Sequence, residues 1–190
     1  MKKLLLLSMI GVLALSANAQ EFPKMDASPM DAAYFPPRAA FRGWAKSDEE
    51  RAANQPQIRV IYSRPQVKER EIFGGLQKYG EVWRVGANEA TEILFMQDVK
   101  IGDASVKAGR YTIFAIPQED NWEVHFSTDN DVWGQYHYDP AKALVTKITV
   151  PTAKTESLVE ALSILFEPSD DGAHMVIAWE NTMVRVPIVF

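Results

Sequence analysis

From Ile58 to the C-terminus the chain repeatedly alternates apolar and polar residues, the two-residue period of a β-strand with one buried face. Ile58, Val60 and Tyr62 begin the pattern. Thr91, Ile93 and Phe95 face one way and Leu94 and Met96 the other, which predicts a strand covered on both faces. Tyr111, Ile113 and Ala115 alternate with Thr112, Phe114 and Ile116. Trp122, Val124 and Phe126 alternate with Glu123, His125 and Ser127, a half-buried strand with its polar residues outward. Leu144 to Val150, Met175 to Trp179 and Val184 to Ile188 repeat the period, and Val82 to Val85 is a further short candidate. Turn residues separate the runs at Gly102-Asp103, Ala108-Gly109, Glu119-Asp120-Asn121, Asp170-Asp171-Gly172 and Glu180-Asn181. The pattern predicts a mainly all-β fold, an antiparallel β-sandwich or partly closed barrel of about eight to ten strands. The most apolar strands, 91–96, 111–116 and 122–127, are expected at its centre.

Two stretches break the pattern. In 157–166, Ser157 and Glu160 form a capping box, and Leu158, Leu162, Leu165 and Phe166 fit a helical stripe. Val159, Ala161, Ser163 and Leu165 fit a strand, and the compact apolar run from Leu162 to Phe166 tips the reading that way. Residues 20–57 carry prolines at 23, 29, 36, 37 and 56, which block long regular elements and predict an irregular arm. Phe22, Tyr34, Phe35, Phe41 and Trp44 are anchors by which that arm would pack on the 58–190 domain. Within it Ser47 and Glu50 make a second capping box, predicting one short helix from about 48 to 54.

The first 19 residues change the expected compartment. Lys2 and Lys3 precede an apolar run from Leu4 to Leu15, then Ala17-Asn18-Ala19, the layout of a cleavable signal peptide with the cut before Gln20. That run is too short to span a bilayer, so no membrane insertion of the mature chain is expected. The product would be periplasmic or extracellular. There is no cysteine, which removes disulfides, thiol nucleophiles and thiolate metal ligands. The apolar core must then hold the fold, and 47% hydrophobic residues supply one. The net charge of −5 becomes more negative once Lys2 and Lys3 leave, which argues against a nucleic-acid partner.

Several runs are distinctive: Ile58-Arg59-Val60-Ile61-Tyr62-Ser63-Arg64-Pro65, Tyr79-Gly80-Glu81-Val82-Trp83-Arg84-Val85-Gly86-Ala87-Asn88-Glu89-Ala90-Thr91, Trp133-Gly134-Gln135-Tyr136 and Ala178-Trp179-Glu180-Asn181-Thr182. With Ala108-Gly109-Arg110-Tyr111 and Ile116-Pro117, they make the chain resemble the bacterial family known as domain of unknown function 2911. That resemblance implies export in a Gram-negative cell. It implies no activity, because the family has no established reaction or catalytic residues.

Candidate chemistry concentrates in two places. Arg84, Asn88, Glu89 and Thr91 bring a cation, an amide, a carboxylate and a hydroxyl into eight residues beside Gly86, which would let a ligand approach the backbone. Arg84 could fork onto a carboxylate or sugar hydroxyls, and Glu89 could act as acid or base. The plainer alternative is an Arg84–Glu89 ion pair beside an Asn-capped turn. Trp133, Tyr136 and Tyr138 lie in an irregular stretch beside Asp129, Asn130, Asp131 and Asp139, where flat aromatics suit a sugar ring, or else plug the end of the sandwich, with Trp133 or Tyr136 the expected aromatic wall of a site. Trp122 and Phe126 sit on an apolar strand face and read as core.

No metal or cofactor is expected. His125, His137 and His174 lack ligand spacing, and Asp129-Asn130-Asp131 lacks the rest of a calcium loop. No Gly-x-Ser-x-Gly elbow or phosphate loop is present. The leading expectation is a non-catalytic binding module for a small or glycan-like ligand. An envelope hydrolase using Glu89 or a histidine, and a structural or protein-interaction domain, stand as alternatives.

Overall fold

The structure is a computed structural model that describes residues 21–190. The predicted signal peptide, 1–19, and its cut before Gln20 lie outside the described residues. Among the described residues nine strands form one antiparallel sheet: β1 (Met30–Phe35), β2 (Ile58–Ser63), β3 (Glu92–Phe95), β4 (Val99–Ile101), β5 (Ala104–Val106), β6 (Gly109–Pro117), β7 (Asn121–Ser127), β8 (Leu144–Ser169) and β9 (Gly172–Val189). Their order is β1-β2-β3-β6-β7-β8-β9-β4-β5, so the fold is all-β and β6 and β7 are central, as the alternation predicts, while β3 stands third from the β1 edge and β8 takes the other central place.

β8 decides the shape. A straight strand of 26 residues would reach about 85 Å at ~3.3 Å per residue, far beyond a domain of this size. It bends where its pairing with β9 shifts register, between Lys154 and Val159 and again between Val159 and Ser163. Its first part pairs with β7 and its last part with β9, so one strand belongs to both layers. The segment 157–166 is therefore strand. The chain after β2 returns to this bend. Gln66 pairs with Ala161, Leu162 N–H donates to Pro65 O at 2.9 Å, and Arg64 Nε donates to Leu162 O at 3.0 Å. Tyr62 Oη accepts Ile164 N–H at 3.0 Å and donates to Ile164 O at 3.4 Å. The sheet is thus folded over on itself with its apolar face inward.

That face holds Val60, Ile93, Phe95, Ile113, Trp122, Phe126, Leu162, Met175, Ile177 and Val186, all essentially inaccessible. At one end Phe73, Trp83, Trp122 and Trp179 meet. The Phe73–Trp122 centroids are 4.9 Å apart, and Trp83 stacks on Trp179 at 5.9 Å and 16°. Trp122 and Phe126 are core, as their strand face predicts.

Several local expectations change. Val82–Val85 is not a strand: Trp83 alone makes a bridge, to Ala115, because β3 and this loop share the edge of β6. Glu180-Asn181 is not a turn. β9 continues through it, with Glu180 at φ 57°, so two expected strands are one. Met96 is exposed, so β3 is not covered on both faces. His125 and Ser127, expected outward, are buried beneath the 128–139 loop. The irregular arm supplies β1, an edge strand whose Phe35 packs on Phe166 and Phe190, while Phe22 and Trp44 stand in solvent. The helix α1 (Asp48–Ala53) forms where the capping box predicts it, with Ser47 Oγ accepting Glu50 N–H at 3.1 Å.

If the Tyr62 contact closes the fold, Tyr62→Phe leaves the buried Ile164 N–H unsatisfied and costs about 1–3 kcal/mol. Urea unfolding measures it, and an unchanged midpoint would show that the closure does not depend on this hydroxyl.

Candidate functional site

The Arg84–Thr91 turn leaves the sheet at Trp83, whose backbone exchanges hydrogen bonds of 2.7 and 2.8 Å with Ala115. It re-enters at β3. Thr91 closes it from inside: the hydroxyl is fully buried and donates to Val85 O at 2.7 Å, while Thr91 N–H donates to Arg84 O at 3.1 Å. Two residues within it are left-handed, Asn88 at φ 59° and Val85 at φ 55°. Asparagine tolerates this conformation, but a β-branched valine does so only where surrounding contacts impose it. Gly86 lines the same cleft as Arg84, and the space beside it would admit a Cβ at ordinary contact. A Cβ there would lie 3.4 Å from Thr91 Oγ1 and 3.5 Å from Ser63 O.

The 128–139 loop lies alongside this turn. Ala90 N–H donates to Val132 O at 3.0 Å, Gly134 N–H donates to Asn88 O at 2.9 Å, and Glu89 bridges to Trp133. Gly134 has φ 74°, and a Cβ on it would come within 2.5 Å of the Tyr136 ring, so only glycine admits the observed ring position. Tyr138 stacks flat on Phe114, with centroids 4.0 Å apart, and covers the outer face of the central strands. Its hydroxyl lies 2.9 Å from His125 Nδ1, and His125 Nε2 lies 2.7 Å from Glu123 Oε1. Lys147 also holds Glu123, at 2.8 Å. Bonds from Lys147 and then His125 hold the Glu123 carboxyl below the usual range. A carboxylate only accepts, which assigns a proton to His125 Nε2, and in that neutral tautomer Nδ1 accepts the Tyr138 O–H. Burial, then the charges of Glu123 and Asp129, push the Tyr138 phenol up to about 12.

The candidates fall on three neighbouring surfaces. Trp133 and Tyr136, 62% and 71% exposed, wall an apolar cup of about 280 Å³ that Phe114 and Tyr138 also line, with Asp129 and His137 on its polar side. Arg84 lines a different cleft and donates from Nη1 to Gln135 Oε1 at 2.9 Å. Exposed Glu89 lines a third recess with Glu92 and Asp131. Arg84 and Glu89 form no ion pair, and no hydrogen bond joins Glu89 to a histidine among the described residues. Two members of the acidic triplet are engaged. Asp131 takes Arg110 through two bonds of 2.7 and 2.6 Å, and Asn130 accepts from Thr112 and donates to Arg110 O. Sequence reasoning gives Gln135 and Glu123 no role, and it names Tyr138 only as an aromatic and His125 only as a histidine without ligand spacing, with nothing to link them. The Glu123/His125 spacing put both on one strand face, but nothing local showed that a loop covers it.

The chain is defined by an antiparallel sheet folded over on itself, with its mixed polar and aromatic groups on two adjoining irregular segments. Over residues 45–188 it matches the family model described as "Protein of unknown function (DUF2911)", and it belongs to that family. No curated protein and no solved structure matches it at a significant level. No helix of the described residues is long and apolar enough to cross a membrane.

A free phenol titrates near pH ~10, whereas Tyr138 holds its proton to about 12. The resulting stability is complete below about pH 10 and is lost as pH rises through about 12. Urea unfolding between pH 9 and 12 should therefore show a shallower alkaline loss for Tyr138→Phe than for the wild type. Equal slopes would mean the phenol is not held in this way.

Proposed function

We propose that the mature chain is an exported, non-catalytic binding module for a small, glycan-like ligand, held on the Trp133/Tyr136 cup of the 128–139 loop. The observation that carries this reading is the exposure of two large aromatics on a fixed loop above a stacked Tyr138–Phe114 floor. A soluble chain gains stability by covering such surface, at ~25 cal/mol per Å². Gly134 and the bonds to Asn88 and Ala90 instead hold the rings at the rim. A preformed apolar wall with polar groups beside it is the arrangement that stacks on a sugar face and bonds to its hydroxyls. The volume, near the lower end of the ~300–1,000 Å³ typical of ligand pockets, suits one or two rings.

Isothermal titration and thermal-shift screening against mono- and oligosaccharides test it. A binding sugar should raise the melting temperature of the wild type. Trp133→Ala and Tyr136→Ala should lose that rise while melting close to the wild type without sugar, because both rings are exposed. An unchanged sugar response in both variants would remove the cup from the reading. Intact-mass measurement on protein from the envelope fraction tests export, with a chain beginning at Gln20 expected and retention of Met1 the contrary result.

A further inference from the structure

The cleft beside Arg84 has a chemistry the aromatic cup lacks. About 330 Å³ in volume, it is lined by Arg70, Gln77, Trp83, Arg84, Gln135 and Trp179 among others, and no carboxylate lines it. Arg84 is half-buried, and neither Arg84 nor Arg70 belongs to any ion pair among the described residues. The chain already orients both guanidinium groups. Arg70 donates from Nε to Val67 O at 2.9 Å and from Nη2 to Gln66 O at 2.6 Å. Arg84 donates from Nη1 to Gln135 Oε1, and its solvent-shielded Nε has no acceptor. The same is true of Nε1 on Trp179, a residue only 2% exposed.

Proteins seldom leave a partly desolvated guanidinium without an anion, or a shielded N–H without an acceptor. Here the half-buried cation lines the cleft, and the two unanswered donors, although shielded from it, belong to residues of its wall. Burial lowers the pKa of Arg84, and no acidic side chain among the described residues compensates it. Trp83 and Trp179, stacked on one another, form a rigid apolar back to the site.

We propose that this cleft is an anion-binding site that takes a small carboxylate on the guanidinium groups of Arg84 and Arg70, beside the aromatic cup and separate from it. A carboxylate fits because its two oxygens match the planar fork of an arginine. Gln135 fixes one edge of the Arg84 group and so sets the direction of the other. Arg70, anchored through Nε and Nη2, contributes charge at the rim. The site does not depend on the cup binding a sugar.

Titrating the folded ¹⁵N-labelled protein with sodium acetate and sodium D-glucuronate, while following the Arg84 Nε–Hε resonance, tests this directly. D-glucose and sodium chloride at matched ionic strength are the controls, and Arg84→Gln assigns the signal. The expected result is a saturable shift with both carboxylates and none with glucose or chloride. Arg84→Lys keeps the charge and loses the fork. It should weaken acetate binding about tenfold or more, as loss of charge-assisted hydrogen bonds implies, while calorimetry shows it still folded. Trp133→Ala should leave the acetate titration unchanged. An Arg84 resonance unmoved by either carboxylate, or moved equally by chloride, overturns the proposal. Tighter binding of inorganic phosphate than of acetate overturns its assignment to carboxylates. Loss of the acetate response in Trp133→Ala overturns the separation from the cup.

Discussion

The contact among Phe73, Trp83, Trp122 and Trp179 is the constraint on which the rest of this structure depends. It joins the long loop after β2 to the central strand β7 and to the far strand β9, residues that local sequence does not bring together. Each large aromatic buries roughly 150–250 Å². The cluster therefore outweighs the local preferences of the 64–91 segment, which has almost no regular structure of its own. Once Trp83 is seated and bridged to Ala115, the backbone on either side follows. Arg84 must stand at the edge of the cluster, and Val85 takes a left-handed conformation that Thr91 holds from inside. The Arg84 cleft is a consequence of the core, since its back wall is made of core indoles.

The second cohesive contact lies on the opposite face of the same strands. Tyr138 lies flat on Phe114 and bonds to His125, so an irregular loop is fastened to β6 and β7 by a ring and a polar chain ending at Lys147. Fastening the loop at Tyr138 and at Asn88 leaves the residues between them to follow a fixed path. Trp133 and Tyr136 are consequently displayed rather than buried. A rigid scaffold carrying variable irregular segments is a general arrangement for recognition, and here both segments touch one another. Glu89 lies on the other side of that contact, which is why the acid and the cation of one eight-residue turn face different surfaces.

Closure of the sheet has a separate cause. β8 is too long to remain straight in a small domain, and the two register shifts in its pairing turn it from one layer into the other. The end of β2 then meets the bend, with Tyr62 and Arg64 satisfying backbone groups of Leu162 and Ile164. These bonds link β2 to residues about one hundred positions away, so both layers are committed together.

The alternation of apolar and polar residues determined strand positions wherever one face is buried against the core, as at Ile58–Tyr62 and Trp122–Phe126. It also identified β6 and β7 as central, because those strands carry the most apolar surface. The Ser47–Glu50 box determined α1, since a cap needs only neighbours three residues apart. The distinctive Trp83–Thr91 run pointed to the family. Sequence could not separate helix from strand at 157–166, because both periods fit it and only pairing with β9 decides. It could not show that β9 runs through Glu180-Asn181, where a bulge has the composition of a turn. His125 read as exposed because the residue that covers it, Tyr138, belongs to a loop with no period. The Arg84–Glu89 pairing was reasonable from five-residue spacing, yet Gln135 takes that arginine from 51 positions away. Local spacing fixes only what neighbouring backbone dihedrals can bring together, while the cleft, the cup and their separation depend on side chains that meet only after the sheet has folded over on itself.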